Sequence, residues 1–369
     1  MKYNNSIKLI LLSLTGLFLM SSSCKKDPEP DPVEYAPTPY SIVIPSGFPT
    51  NLNIPSDNPM TVEGIALGRY LYYDVRLSGK ADEGMPQTCA SCHLQEHSFE
   101  NGVGKGTGTT GAKTYNVMLP HVNLVWNPGA YLWNGSVKTI EEDVLGTVLS
   151  PDEFASTPEK VVAAISKVDM YPALFKAAFG SEEVTMDRIA KAIAQFMRTM
   201  ISSNSNFDKR QRGEYNFTDS ELRGLVLFQT EEGADCFHCH GSPGNPLFTT
   251  HLFYNNAKDN IFDIAHDRYS VTGNTLDIGA YKATTLRNIE LTGPYMHDGR
   301  FQTLEEVIDF YSEGLVYSEY AHPLMEKLRP PYGKGAELNP MEKADLKAFL
   351  LTLTDHDFID PTNDISNPF

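Results

Sequence analysis

The chain has 369 residues, 41% of them hydrophobic and 21% charged, with 27 glycines, 24 prolines and five cysteines. That length admits two packed domains, and the composition excludes a collagen, a long coiled coil or a wholly disordered chain. A formal charge of −17 disfavours nucleic-acid binding, which needs a basic face, and suits a chain that meets a basic partner.

Residues 1–24 have the layout of a lipoprotein-type signal peptide. Lys2 and Lys8 form the positive region, Leu9 to Met20 the apolar core, and Ser21, Ser22 and Ser23 the small residues before Cys24. The apolar core is too short to cross a hydrocarbon layer, which takes roughly 20 helical residues. Cys24 is the expected lipidation site, although Ser21 stands where such boxes carry leucine. A plain secretory signal with an incidental Cys24 is the alternative. Either places the mature chain in the periplasm or at the outer membrane, with any membrane contact made through a lipid. Residues 25–45 start Lys-Lys-Asp-Pro-Glu-Pro-Asp and carry Pro32, Pro37 and Pro39, a composition that predicts a flexible tether.

The body carries one signature twice, Cys89-Ala-Ser-Cys92-His93 and Cys236-Phe-His-Cys239-His240. We expect one domain around each, residues 46–210 and 211–369, divided near the polar stretch Ser202 to Asn216. No other short-period repeat is apparent. The glycine-rich stretch Gly102 to Gly111 lacks the Lys-Ser/Thr ending of a phosphate cradle and reads as a long loop. Ile189, Ile193, Phe196, Met197 and Met200 make an apolar stripe at helical spacing. Thr218 with Glu221, and Thr303 with Glu306, are capping boxes ahead of two further helices, the second of which stops at Gly314. Asn339 and Pro340 start a last helix. Strand signals are sparse, so the predicted class is all-α with long loops.

Cys-x-x-Cys-His is the attachment signature of c-type haem: two thiols add to vinyl groups on one porphyrin edge, and the histidine becomes the proximal iron ligand. Two copies predict two covalently bound haems, at Cys89, Cys92 and His93 and at Cys236, Cys239 and His240. A four-cysteine zinc site and a pair of redox disulfides are the competing readings. The former leaves the histidines without a task, and no thioredoxin-like pattern accompanies the latter. Two haems serve either a non-enzymatic electron carrier, closed on both faces, or a catalyst with one face open.

Flanking segments narrow the choice. Gly68-Arg-Tyr-Leu-Tyr-Tyr-Asp-Val-Arg-Leu-Ser78 precedes the first motif and Trp133-Asn-Gly135 follows it. Leu286-Arg-Asn-Ile-Glu-Leu-Thr-Gly-Pro-Tyr-Met-His-Asp-Gly299 follows the second. In this order, over residues 60 to 355, the chain resembles the bacterial diheme cytochrome c peroxidases and their MauG-type relatives. The resemblance implies that His93 serves a peroxidatic haem and His240 a haem that takes up electrons, with Trp133 between them. It places Glu153 as the distal acid/base group, with Asp152 beside it as the rival assignment. Asp143 stands where the family has glutamine. It further implies a calcium ion held by Asn116, Thr292 and Pro294. At the second haem it makes Tyr311 the axial ligand, as in the MauG branch, in place of methionine; Met296 and Met325 are the alternatives. For the sixth position of the first haem the chain offers His97 and His121, or an open site.

The implied function is reduction of hydrogen peroxide to water with electrons from a small periplasmic donor such as cytochrome c. A MauG-like oxidase acting on a protein side chain or small molecule is the runner-up. A homodimer is left open, and no nucleic-acid partner is expected.

Overall fold

The computed structural model describes residues 35–329 and 333–369; the leader, Cys24 and the first part of the expected tether lie outside the described residues. Each main helix pair is set by a cap and a close crossing. Thr61 starts the helix Val62–Tyr72 by accepting a hydrogen bond from Gly64 N, and Thr185 does the same for Met186–Met197 through Arg188 N. The predicted stripe Ile189, Ile193, Phe196, Met197 and Met200 is buried against the first of these helices and its neighbours. The two axes approach closely because residue 68 is glycine: a Cβ there would stand 1.9 Å from the Ala192 carbonyl oxygen and 2.9 Å from Phe196 Cβ.

The second pair repeats this arrangement. The predicted capping box of Thr218 and Glu221 opens Asp219–Gln229, and Asn339 with Glu342 opens Pro340–Leu351. They cross at Gly224, whose Cβ would fall 1.9 Å from the Asp345 carbonyl oxygen and 2.8 Å from Phe349 Cβ. Two hydrophobic cores result. One contains Leu67, Tyr72, Phe175 and Phe196, the other Phe207, Phe228, Phe248 and Phe349.

The rest is mostly helix and loop with two short ribbons, β1 (Lys105–Thr107) with β2 (Lys113–Val117) and β3 (Phe253–Tyr254) with β4 (Tyr281–Lys282), both antiparallel. The first ribbon takes up part of the stretch read as a glycine-rich loop. One compact unit runs from Ala36 to Phe369. It includes residues expected in the tether: Tyr40 N donates to Met60 O (2.9 Å), Val62 N donates to Thr38 O (3.0 Å), and Ile42 joins a small core with Phe48, Met60 and Trp126. At the other end Phe358 enters the first core, Tyr73 Oη donates to Ile365 O and Arg69 Nε to Ser366 O, each at 2.8 Å. The carboxy-terminal residues thus pack on the first core, across the expected division at residue 210. Among the described residues no helix is long and apolar enough to cross a membrane.

The structure also contains a repeat that the sequence conceals. Tyr131 N–H donates to Val137 O, and Tyr295 N–H to Phe301 O, closing two loops of the same length. Within them Leu132 and Met296, then Gly135 and Gly299, take positive φ at matching places. Thr139 and Thr303 then cap the helices Ile140–Leu149 and Leu304–Glu313. Upstream, Asn123 and Asn288 both have positive φ, and their N–H groups donate to Met200 O and Leu353 O. The N–H groups of His121 and Leu286 bond the carbonyls of Phe99 and Phe248, again both at positive φ. One backbone design has been used twice.

The helix crossings give a direct test. Gly68→Ala and Gly224→Ala should each lower stability in chemical denaturation by about 1–3 kcal/mol or more, because the atoms met are backbone. Gly146→Ala, in an exposed helical position with nothing within 4 Å, should raise it by roughly 0.5–1 kcal/mol.

Candidate haem sites

Each signature motif forms a single helical turn at the mouth of a cavity. Cys89, Cys92 and His93 line one of about 350 Å³; Cys236, Cys239 and His240 line another of about 220 Å³. The four cysteines are free thiols. Because the pairs stand in separate cavities, they do not form the four-thiolate tetrahedron of a zinc site.

Both histidines are prepared in the same way. Nδ1 of His93 bonds the Phe99 carbonyl at 2.8 Å and Nδ1 of His240 the Thr284 carbonyl at 3.0 Å. A carbonyl can only accept, so each proton sits on Nδ1 and each Nε2 keeps its lone pair for a metal. Burial lowers both imidazole pKa values to about 4, which keeps them neutral. Paired thiols, a neutral imidazole and a largely apolar cavity fit a covalently attached haem in each half.

The equivalent helices Ile140–Leu149 and Leu304–Glu313 form the opposite wall in each half, and they differ where it matters. Asp143, Val144 and Thr147 face the first cavity; Val307, Ile308 and Tyr311 occupy the same three helical positions in the second. Tyr311 Oη accepts from Asn256 Nδ2 at 3.1 Å, and burial raises its pKa. Met296 and Met325 also line this cavity, and Met296 Sδ lies 3.5 Å from the same Asn256 nitrogen. In the first half the place of Tyr311 is taken by Thr147, a much shorter side chain.

Glu153 and Asp143 do converge, together with Asp152, on the first cavity. Burial raises the pKa of Glu153, with the Thr147 hydroxyl opposing the shift and Asp152 adding to it. Asp143 is half-buried in the wall; desolvation first, then the charge of Glu153, push its pKa up to about 7, against the pull of Lys282. Trp133 lines both cavities and donates from Nε1 to Val117 O at 2.8 Å.

A family model described as di-haem cytochrome c peroxidase matches residues 62–216. The methylamine utilization protein MauG of Methylorubrum extorquens is 31% identical over 307 residues, which cover 83% of this chain and 82% of that protein. The chain belongs to the di-haem cytochrome c peroxidase/MauG family. Within that family, cytochrome c551 peroxidase of Nitrosomonas europaea is 35% identical over 259 residues, 68% of this chain and 73% of its own. The crystal structure of a MauG-like protein associated with microbial copper homeostasis matches with a TM-score of 0.76 at 35% identity, over 89% of this chain and 99% of that one.

Other family positions can be placed. Asn116 Oδ1 is buried without a hydrogen-bond partner, as a cation ligand would be before its ion arrives. Its neighbour Val117 and Pro294 both lie against Gly104 and Gly299, so the strand and the Thr292–Pro294 segment meet. His97 does not line the first cavity, whereas His121 does. The His97 ring sits over Gly102, with Nδ1 bonded to Leu291 O at 3.2 Å. His121 lies flat on His93 with ring centroids 3.6 Å apart, too close for two ligands on opposite sides of one metal.

Two residues of the first cavity escaped the sequence reading because the other half supplies them. Lys282 is buried, and its pKa falls to about 7 through desolvation while Asp143 supports its charge. His251 has a buried Nε2 without a partner. No local motif marks either one.

Asp143 keeps its proton to about pH 7 when folded, against 3.8 as the ordinary value. The wild type therefore loses stability as pH rises through that window, whereas an asparagine never ionises. Asp143→Asn should gain in Tm relative to wild type between pH 4 and 7, by up to a few kcal/mol in stability. A constant difference across that range would show that Asp143 titrates normally.

Proposed function

We propose that this protein is an exported peroxidase that reduces hydrogen peroxide to water, with electrons from a small cytochrome c. The observation that carries this reading is the replacement of Tyr311 by Thr147 at the equivalent helical position. The second cavity carries a phenol at this position, whereas the first carries a short hydroxyl in a cavity lined by Asp143 and Glu153, which leaves more room for a small oxidant. Covalent haems at His93 and His240 would supply the redox chemistry.

The residues around the first cavity divide the remaining work. Peroxide cleavage consumes two electrons and two protons and yields two waters. Glu153 takes the proton from one peroxide oxygen and delivers it to the other, and burial, which raises its pKa, makes its carboxyl a better proton holder for that relay. Asp143 keeps a second proton close at hand, and Lys282 balances its charge once that proton leaves. Thr147 orients Glu153 through its hydroxyl. Trp133 places one indole ring against both cavities, and Asn116, Thr292 and Pro294 would hold a calcium ion between the two halves. Lipidation at Cys24 would keep the enzyme at a membrane surface.

Tyr311 is the proposed axial ligand of the second haem. An anionic phenolate favours ferric and higher oxidation states, whereas a thioether raises the potential. That ligand, with the likeness to MauG, favours a second reading in which the protein oxidises a side chain or small molecule at the expense of peroxide.

Peroxide-dependent oxidation of reduced cytochrome c by the haem-loaded protein tests the first reading. Reversible redox cycling with no response to peroxide would make it a carrier. Glu153→Gln should slow peroxide turnover by about 10²–10⁴, the usual contribution of a general acid–base group. In near-infrared spectra the wild type should lack the sulfur-to-iron charge-transfer band. A band that is present and survives Tyr311→Phe would assign the ligand to a methionine.

A further inference from the structure

We propose that His121 is a positioning residue for the first haem alone, fixing the rotation of the His93 ring about its bond to iron. The inference rests on the reading of His93 as an iron ligand and adds a residue to it.

The contact is close and nearly parallel. The His121 and His93 rings lie 3.6 Å apart between centroids with planes inclined by 21°. Three bonds secure it. The Phe99 carbonyl accepts from His93 Nδ1 at 2.8 Å and from the His121 backbone N–H at 3.2 Å, so one oxygen anchors both residues. On the far side His121 Nδ1 is hydrogen-bonded to Tyr72 Oη at 3.0 Å, and Tyr72 is wholly buried in the first core. A hydrogen bond at Nδ1 alone is a pivot that restrains an imidazole at its edge. A second ring on its face removes the remaining rotation.

The second half of the molecule provides the comparison. Its histidine keeps the edge bond, His240 Nδ1 to Thr284 O. Leu286 holds the backbone place of His121, its N–H bonded to Phe248 O at 3.1 Å as His121 N–H is to Phe99 O. Among the described residues no aromatic ring pairs with His240, whereas His93 carries one. The two halves thus share the edge bond and differ in the face contact, and the half with the added ring is the one with the open wall. An iron with a protein ligand on both sides is held from both. An iron with one axial protein ligand has, beyond the two thioether links of its porphyrin, only that ligand to fix its axial direction.

The test is His121→Leu, which installs the residue this chain already uses at the equivalent position, with His121→Phe as the ring-retaining variant. Quantifying thioether-bound haem comes first: a wild type without two per chain overturns the site and this inference together. With two haems present, His121→Leu should shift the iron–histidine stretching band of the ferrous first haem and broaden its ferric paramagnetic resonance signal. Signals of the second haem should not move. His121→Phe should retain the wild-type band, and Tyr72→Phe should produce a smaller broadening than His121→Leu. Identical spectra in wild type and His121→Leu would overturn the proposal. So would conversion of the first haem from low to high spin in both variants, since that would make His121 an iron ligand.

Discussion

The bond from each motif histidine to a backbone carbonyl is the constraint on which both sites depend. Phe99 O and Thr284 O accept the Nδ1–H bond, and this settles the tautomer and leaves the Nε2 lone pair free. Phe99 O is available because the chain folds back sharply after the first motif through Phe99 at positive φ; Thr284 O comes from the segment in which Leu286 N–H bonds Phe248 O, again at positive φ. Both phenylalanines have fully buried side chains, so the hydrophobic cores hold the unusual backbone in place. Core packing, backbone conformation and metal-ready imidazole form one chain of cause.

Using that design twice gives two cavities with the same walls and lets a few side chains separate their chemistry. The equivalent positions read Thr147 and Tyr311, and Asp143 and Val307, on the helix that lines each cavity, and His121, stacked on His93, where the second half has Leu286. The first half has the short hydroxyl, the carboxyl and the extra imidazole; the second has the phenol and two aliphatic residues. Differentiation by substitution on a fixed backbone costs little stability, because the helix crossings at Gly68 and Gly224 and the caps at Thr139 and Thr303 are untouched by it. The polar groups are concentrated in the half whose helix carries the shorter side chain at that position.

Features that depend on neighbours in sequence were legible in advance. The two attachment motifs, the capping boxes at Thr218 and Thr303 and the stripe from Ile189 to Met200 each announce themselves within a dozen residues, and the structure forms all of them. The repeat was not legible because its matching elements share backbone conformation more than residue identity. Asn123 and Asn288 agree, but His121 matches Leu286 and Trp133 matches His297. Lys282 and His251 were invisible for a different reason. They reach the first cavity from the second half, and no local pattern records a contact between residues more than a hundred positions apart. The docking of Phe358 and Ile365 on the first core has the same character.

The two halves meet through one of their own equivalent pairs. Trp133 and His297 hold the same place in the matching loops, and their rings stand edge to face at 6.3 Å. The contact is bonded from both sides. The Trp133 indole donates to Val117 O, Val117 N–H donates to His297 O at 2.9 Å, and Lys282 N–H donates to Trp133 O at 2.9 Å. Tyr281, adjacent to Lys282 on β4, stacks on His297 at 3.6 Å and completes the circuit. Every member is held by at least two others, and the members come from both halves. The ring between the cavities is therefore fixed by the junction and by neither core alone. A wall that opened and closed would make exchange between the two sites intermittent. A ring bonded on both sides keeps its place against each cavity constant.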